Sequence, residues 1–141
     1  MHSLRQQLVQ SALSWEQTFV NAPSITSALA EYDAAMLLGI TPEQYSECMR
    51  GTTAVQKGYD FRFQGKRYQV KGNRPSGKPG SFVTWVAKAT NYEWDFLVWV
   101  LYDPKYEIQE AWLWEVSEYV AQFDAVKRLS PAHYRLGKKL R

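Results

Sequence analysis

The sequence predicts an α/β fold, a sheet with helices packed on it. Three observations carry this. The first fifty residues place apolar side chains at roughly helical spacing, interrupted by Asn21-Ala22-Pro23-Ser24 and by Gly39. Gly58 to Lys71 alternates apolar and polar residues on either side of Gln64-Gly65, the pattern of a hairpin. Asp95–Tyr102 is an almost unbroken apolar run, which calls for a strand buried on both faces in the middle of a sheet.

In chain order, Leu4 to about Val20 is expected to be helical, with Leu4, Leu8, Leu13 and Trp15 as packing positions. A second helix, capped by Ser24 or Thr26, is expected through Ile25, Leu29, Ala30, Ala34 and Leu37-Leu38, with Gly39 stopping it. Thr41-Pro42-Glu43-Gln44 starts a third, with a threonine cap, proline in the first turn and glutamine three residues after the cap. Residues 50–57 suit a leading strand through Thr52, Thr53 and Val55. In the hairpin, Tyr59, Phe61 and Phe63 share one face of the first strand. Tyr68 and Val70 take one face of the second, leaving Arg67, Gln69 and Lys71 on the other. Gly72 to Gly80 is a loop by composition. Phe82–Thr90 suits helix and strand alike. Ile108–Trp114 reads as a strand with Ala111 and Leu113 opposite Trp112 and Trp114, and Val116 to Val126 as a helix. Ser130-Pro131 opens a last helix carrying Arg135, Lys138, Lys139 and Arg141.

Composition bounds the function. A length of 141 residues suits one domain, 1–141, with its own core. No apolar run is long enough for a membrane helix, and Met1-His2-Ser3-Leu4-Arg5 has no signal-peptide layout. Cys48 is the only cysteine, so no internal disulfide and no cysteine zinc site is expected, and a reducing cytoplasm fits. With His2 and His133 alone, a histidine-based metal nuclease lacks ligands. No nucleophile-elbow motif supports a Ser-His-Asp hydrolase. A net charge of +3 is compatible with a polyanionic partner without demanding one.

The hairpin carries the chemistry. An acid at the start of its first strand, Asp60, lies beside the Gln69/Lys71 face of the next, so a carboxylate, an amide oxygen and an ammonium converge. A carboxylate with amide or backbone oxygens can hold a hard divalent cation such as Mg²⁺. A lysine alongside can orient or deprotonate a water, or offset charge on a phosphorane-like transition state. Asp60, nine residues, then Gln69-Val70-Lys71 resembles the PD-(D/E)XK nuclease superfamily, the restriction-endonuclease-like fold. Tyr59 stands where proline is usual and Gln69 where Asp or Glu is usual. Some transposon end-cleaving and modification-dependent restriction nucleases of the superfamily also carry Gln-x-Lys.

The resemblance covers most of the chain and implies a three-layer core, a central mixed β-sheet flanked by helices. It also implies a Mg²⁺-dependent DNA endonuclease, with Mn²⁺ as a substitute ion, of restriction, resolvase or homing type and working as a homodimer. Asp60, Gln69, the Val70 carbonyl and Glu31 would be the ligands, Glu31 supplying the acid that many members carry on the helix before the core strands. Lys71 would act beside the metal. Asp33 is the competitor for Glu31, though two positions along a helix point elsewhere. Arg74 and Lys78 in the loop, with Lys66 and Arg67 on the hairpin, are the candidate contacts to DNA phosphates. The alternative is a non-catalytic nucleic-acid-binding module of the same fold, in which Gln69 marks a lost ligand. A third possibility is an unrelated small α/β protein whose aromatic surface binds another protein. Gly72 to Lys78 also fits the first part of a P-loop, but Pro79 stands where Ser or Thr should bind Mg²⁺, and Pro75 and Pro79 remove backbone donors.

Overall fold

The structure is a computed structural model and describes residues 3–51 and 58–141. Three helices come first: α1 (Ser3–Phe19), α2 (Thr26–Leu37) and α3 (Pro42–Arg50). A hairpin follows, β1 (Phe61–Phe63) and β2 (Lys66–Asn73), then β3 (Phe96–Tyr102), β4 (Ile108–Glu115), α4 (Val116–Phe123), the single turn α5 (Pro131–Tyr134) and β5 (Lys138–Lys139). The five strands form one mixed sheet in the order β1-β2-β3-β4-β5. Only β2 and β3 run parallel, Gln69 opposite Leu97 and Lys71 opposite Trp99.

Each face of the sheet has its own apolar core. Val70 of β2, Val98, Val100 and Tyr102 of β3 and Ala111 of β4 pack with α1 and α2 on one side. Leu97 and Trp99 of β3 and Trp114 of β4 pack on the other with Tyr119 and Phe123 of α4 and Tyr134 of α5. The two-residue side-chain period sorts β3 into both cores, as its unbroken apolar run requires. The α/β class thus stands, with a mixed sheet between helices.

Local rules explain most boundaries. The capping box at Thr41 forms, Gln44 N–H donating to Thr41 Oγ1 at 3.1 Å and Thr41 N–H to Gln44 Oε1 at 2.9 Å. Gly39, at φ 84°, ends α2 in the left-handed conformation that glycine adopts without strain. Gln64 and Gly65 both have positive φ, as a two-residue hairpin turn needs. At its N-terminus α2 differs from expectation. Its cap position is Ile25, and no side chain caps it. The proposed leading strand divides: Arg50 belongs to α3, and residues 52–57 lie outside the described residues. The basic tail is a short edge strand, not a helix. Gly137 ends the α5 turn, and Lys138 and Lys139 then pair with Leu113 and Trp112.

The connection 74–95 between the parallel strands is neither helix nor strand, apart from one bridge, Val86 to Leu129. Side chains take up its backbone groups instead. Ala89 N–H donates to Tyr119 Oη at 3.0 Å, and Tyr134 Oη–H donates to the Ala87 carbonyl at 2.7 Å. Lys88 spans back to the carbonyls of Asp124 and Val126 at 2.8 and 3.0 Å. These cross-links tie the connection to α4, α5 and the stretch between them without a ladder.

Two ion pairs fix α1. Arg5 forks onto buried Asp33 of α2 at 2.6 and 2.7 Å, and Tyr102 Oη–H donates to the same carboxylate at 2.5 Å. Glu16 meets Arg74 at the exit of β2. Asp33 is therefore committed to the core and is no rival to Glu31.

Candidate metal and nucleic-acid site

The site lies where β1 leaves β2. Ladder pairing runs from Phe63 opposite Lys66 to Phe61 opposite Tyr68, so one step further would set Asp60 opposite Gln69. The ladder breaks there. Asp60 N–H donates to the Tyr68 carbonyl at 2.8 Å, and the Asp60 carboxylate accepts the Val70 N–H at 2.7 Å. A side chain thus replaces the backbone partner that β1 would have offered. The bend shows in the packing on either side of it: Phe61 lies in the first core and Tyr59 against the second. In an extended strand, the N–H and C=O of one residue leave on the same side. The Val70 carbonyl therefore points toward the edge that carries Asp60.

Glu31 reaches this edge from α2. The helix lies close to β2 at Gly72, where an added Cβ would come 2.6 Å from the Ala30 Cβ. The Glu31 carboxyl comes near enough to Asp60 for the two to influence each other's charge. Burial first, then the charge of Asp60, push Glu31 up to about 8. Near neutral pH Glu31 therefore holds its proton. Two carboxyls this close cannot both ionise cheaply without a cation between them.

Tyr45 of α3 completes the wall. It packs edge-on against Phe61, with ring centroids 6.0 Å apart, and against Tyr32 at 5.7 Å. Burial and the charges of Glu31 and Asp60 push its phenol up to about 12, so it stays neutral. The sequence offered no direct signal for Tyr45. The capping box fixes where α3 starts, but not which residue of α3 meets the acids.

Gln69 and Lys71 leave β2 on the face of Leu97 and Trp99, opposite the face that α2 covers. They flank Val70 and are half-buried. Among the described residues, no hydrogen bond joins either of them to Glu31 or Asp60. The two acids lie near each other at this edge, while the amide and the ammonium stand to either side of Val70 on β2.

The four candidate phosphate contacts divide. Lys66 and Lys78 are exposed. Arg67 is tied to Asp95, its N–H donating at 2.8 Å and its guanidinium at 3.3 Å. That pairing holds the Asp95 carboxyl below its usual range, and Asp95 is a structural clasp between β2 and β3. Arg74 is the correction. Its side chain is 8% exposed, forks onto Glu16 at 2.9 and 3.1 Å, donates to the Pro104 carbonyl and lies 4.2 Å above the Tyr106 ring. A guanidinium so engaged is an internal anchor and not a contact for DNA. Gly72 and Asn73 belong to β2, so the Gly72–Lys78 stretch is not a phosphate cradle either.

Among the described residues, no group of three or more His, Cys, Asp or Glu side chains gathers at one point. The donor set here is smaller and mixed: two neighbouring carboxyls, a backbone carbonyl directed at the same edge, and an amide on the adjacent residue. Hard oxygen donors with one surplus proton suit Mg²⁺ or Mn²⁺, which retain several waters and need few protein ligands. No protein-family model and no curated protein matches the sequence.

Proposed function

We propose that the protein is a Mg²⁺-dependent DNA endonuclease with a restriction-endonuclease-like core. One observation carries the reading: Glu31 of α2 meets Asp60 where β1 parts from β2, next to Gln69-Val70-Lys71. Asp60, Glu31, the Val70 carbonyl and Gln69 would hold the ion. The bound ion would supply Lewis acidity and a more acidic water.

The chain's own groups do the rest. Asp60 is fixed by the Val70 N–H, so one carboxylate oxygen is positioned and the other is left for a ligand. Glu31 would give up its proton to hold a cation. Lys71 projects from the same strand, two residues beyond Gln69, where it can orient a water or offset charge on a phosphoryl oxygen. Neutral Tyr45 closes the apolar side of the site and keeps water from the acid pair. Lys66 and Lys78 are the cations left for the DNA backbone.

A second reading, a nucleic-acid-binding module without catalysis, is favoured by Gln69. A neutral amide lends oxygen to a cation but no charge. Incubation of the full chain with supercoiled and branched DNA, with and without Mg²⁺, separates the two. Cleavage by the wild type, lost in Asp60→Ala and in Lys71→Ala with the fold intact, is the expected result. Cleavage that survives either substitution sinks the assignment. DNA binding without cleavage or Mn²⁺ binding selects the second reading.

A further inference from the structure

The outer side of α1 is unusual for a surface helix. Its only charged residues, Arg5 and Glu16, are both engaged inward, with Asp33 and Arg74. The outward residues are Ser3, Gln6, Gln7, Gln10, Ser14, Gln17 and Thr18, all uncharged. Helices facing solvent normally place charge there. Beside them runs an apolar stripe at i, i+4, i+11 and i+15: Leu4, 65% exposed, Leu8, 39%, Trp15, 54%, and Phe19, 58%. Ser11 sits in the same stripe between Leu8 and Trp15. Trp15 and Phe19 already lean on each other, with centroids 4.7 Å apart, as one aromatic knob.

Next to the other end of the stripe is a groove of about 590 Å³ between α1, α2 and α3. Leu4, Leu8, Ala28, Leu29, Tyr32 and Met49 make up most of its lining. We propose that two copies of this chain pair through antiparallel α1 helices, the Trp15 and Phe19 of each seated at the groove beside Leu8 and Leu4 of the other.

The spacing is self-complementary. Antiparallel helices crossing near Ser11 bring Trp15 over Leu8 and Phe19 over Leu4, and the twofold axis repeats both contacts, so the interface closes on itself. The small Ser11 lets the axes approach. The outward side of α1 carries no charge, and Arg50 at the groove is paired with Glu47 at 3.1 Å, so the face offers DNA phosphates or an anionic membrane little to bind, which favours an equally uncharged surface, such as a second copy. The inference does not depend on the chemistry at Glu31 and Asp60.

Sedimentation of the full chain over a range of concentrations tests it. The wild type should reach twice the 16.4 kDa of one chain. Trp15→Glu and Phe19→Glu change exposed positions, so helicity and melting should persist while the dimer dissociation constant rises by more than about thirtyfold, as for a hot-spot loss. In a Cys48→Ala background, Ser11→Cys should cross-link copies under oxidation and Gln17→Cys should not. A wild type monomeric at all concentrations overturns the proposal, even if Trp15→Glu then impairs binding of DNA or another protein. So does a dimer untouched by both glutamates, or equal cross-linking at the two cysteine positions.

Discussion

Glu31 keeps a proton beside Asp60, and that makes stability depend on pH. In the unfolded chain Glu31 titrates near 4.5, and in the fold near 8. Between those values the native state keeps a proton that the unfolded state has lost, so stability falls as pH rises through that window. Glu31→Gln keeps a donor toward Asp60 and cannot ionise. The variant should match the wild type near about pH 5 and exceed its stability by ~1–3 kcal/mol near about pH 9. Urea unfolding at a series of pH values checks this. A slope as steep in the variant as in the wild type would remove Glu31 as its source. The position of Glu31 could be read from the sequence only through the family resemblance. Tyr45 could not be read at all, because it meets the acids only through the packing of α3 on β1.

At the scale of elements, the close approach of α2 to β2 brings the acids together. Gly72 permits it, since an alanine Cβ there would stand 2.6 Å from that of Ala30. Gly72→Ala should cost ~1–3 kcal/mol by overpacking. Ala30→Gly should cost ~1 kcal/mol as a helix substitution. The double variant should be more stable than the sum of the two predicts, because each change makes room for the other. Denaturation midpoints of all three settle it, and strict additivity would mean that the helix does not bear on the strand there. The sequence marked Gly72 only as a loop residue. A glycine inside a strand signals close approach just as well, and its partner lies far off in the chain.

For the molecule as a whole, strands β1 to β4 and the first three helices were legible because period, caps and turn residues act locally, whereas the edge strand β5 was read as helix. The 74–95 connection was not legible either. It is anchored by Tyr119 and Tyr134 at Ala89 and Ala87 and by Lys88 reaching out to the Asp124 and Val126 carbonyls, partners that no local pattern reveals. Arg74 was misread for the same reason. It stands in a loop rich in Gly and Pro, yet Glu16 on α1 claims it. Arg74→Ala should therefore cost ~1–3 kcal/mol of stability by leaving Glu16 without its partner. It should leave the salt dependence of DNA binding unchanged. Lys66→Ala and Lys78→Ala should each lower that salt slope by about one unit, with little effect on stability. Melting curves and DNA titrations at several salt concentrations separate the two kinds of lysine and arginine. A reduced slope in Arg74→Ala, with the wild-type melt, would return it to the interface.

The division of the sheet into two cores has an optical consequence. Trp94, Trp99 and Trp114 are buried in the second core, and Trp112 packs against it. The first core, which holds α2 and the Glu31 side of the site, contains no tryptophan among its described residues. Trp15 and Trp85 are largely exposed. Intrinsic fluorescence therefore reads the face of the sheet away from the acids. Emission that shifts with denaturant in step with helical circular dichroism would mean that both faces melt as one unit.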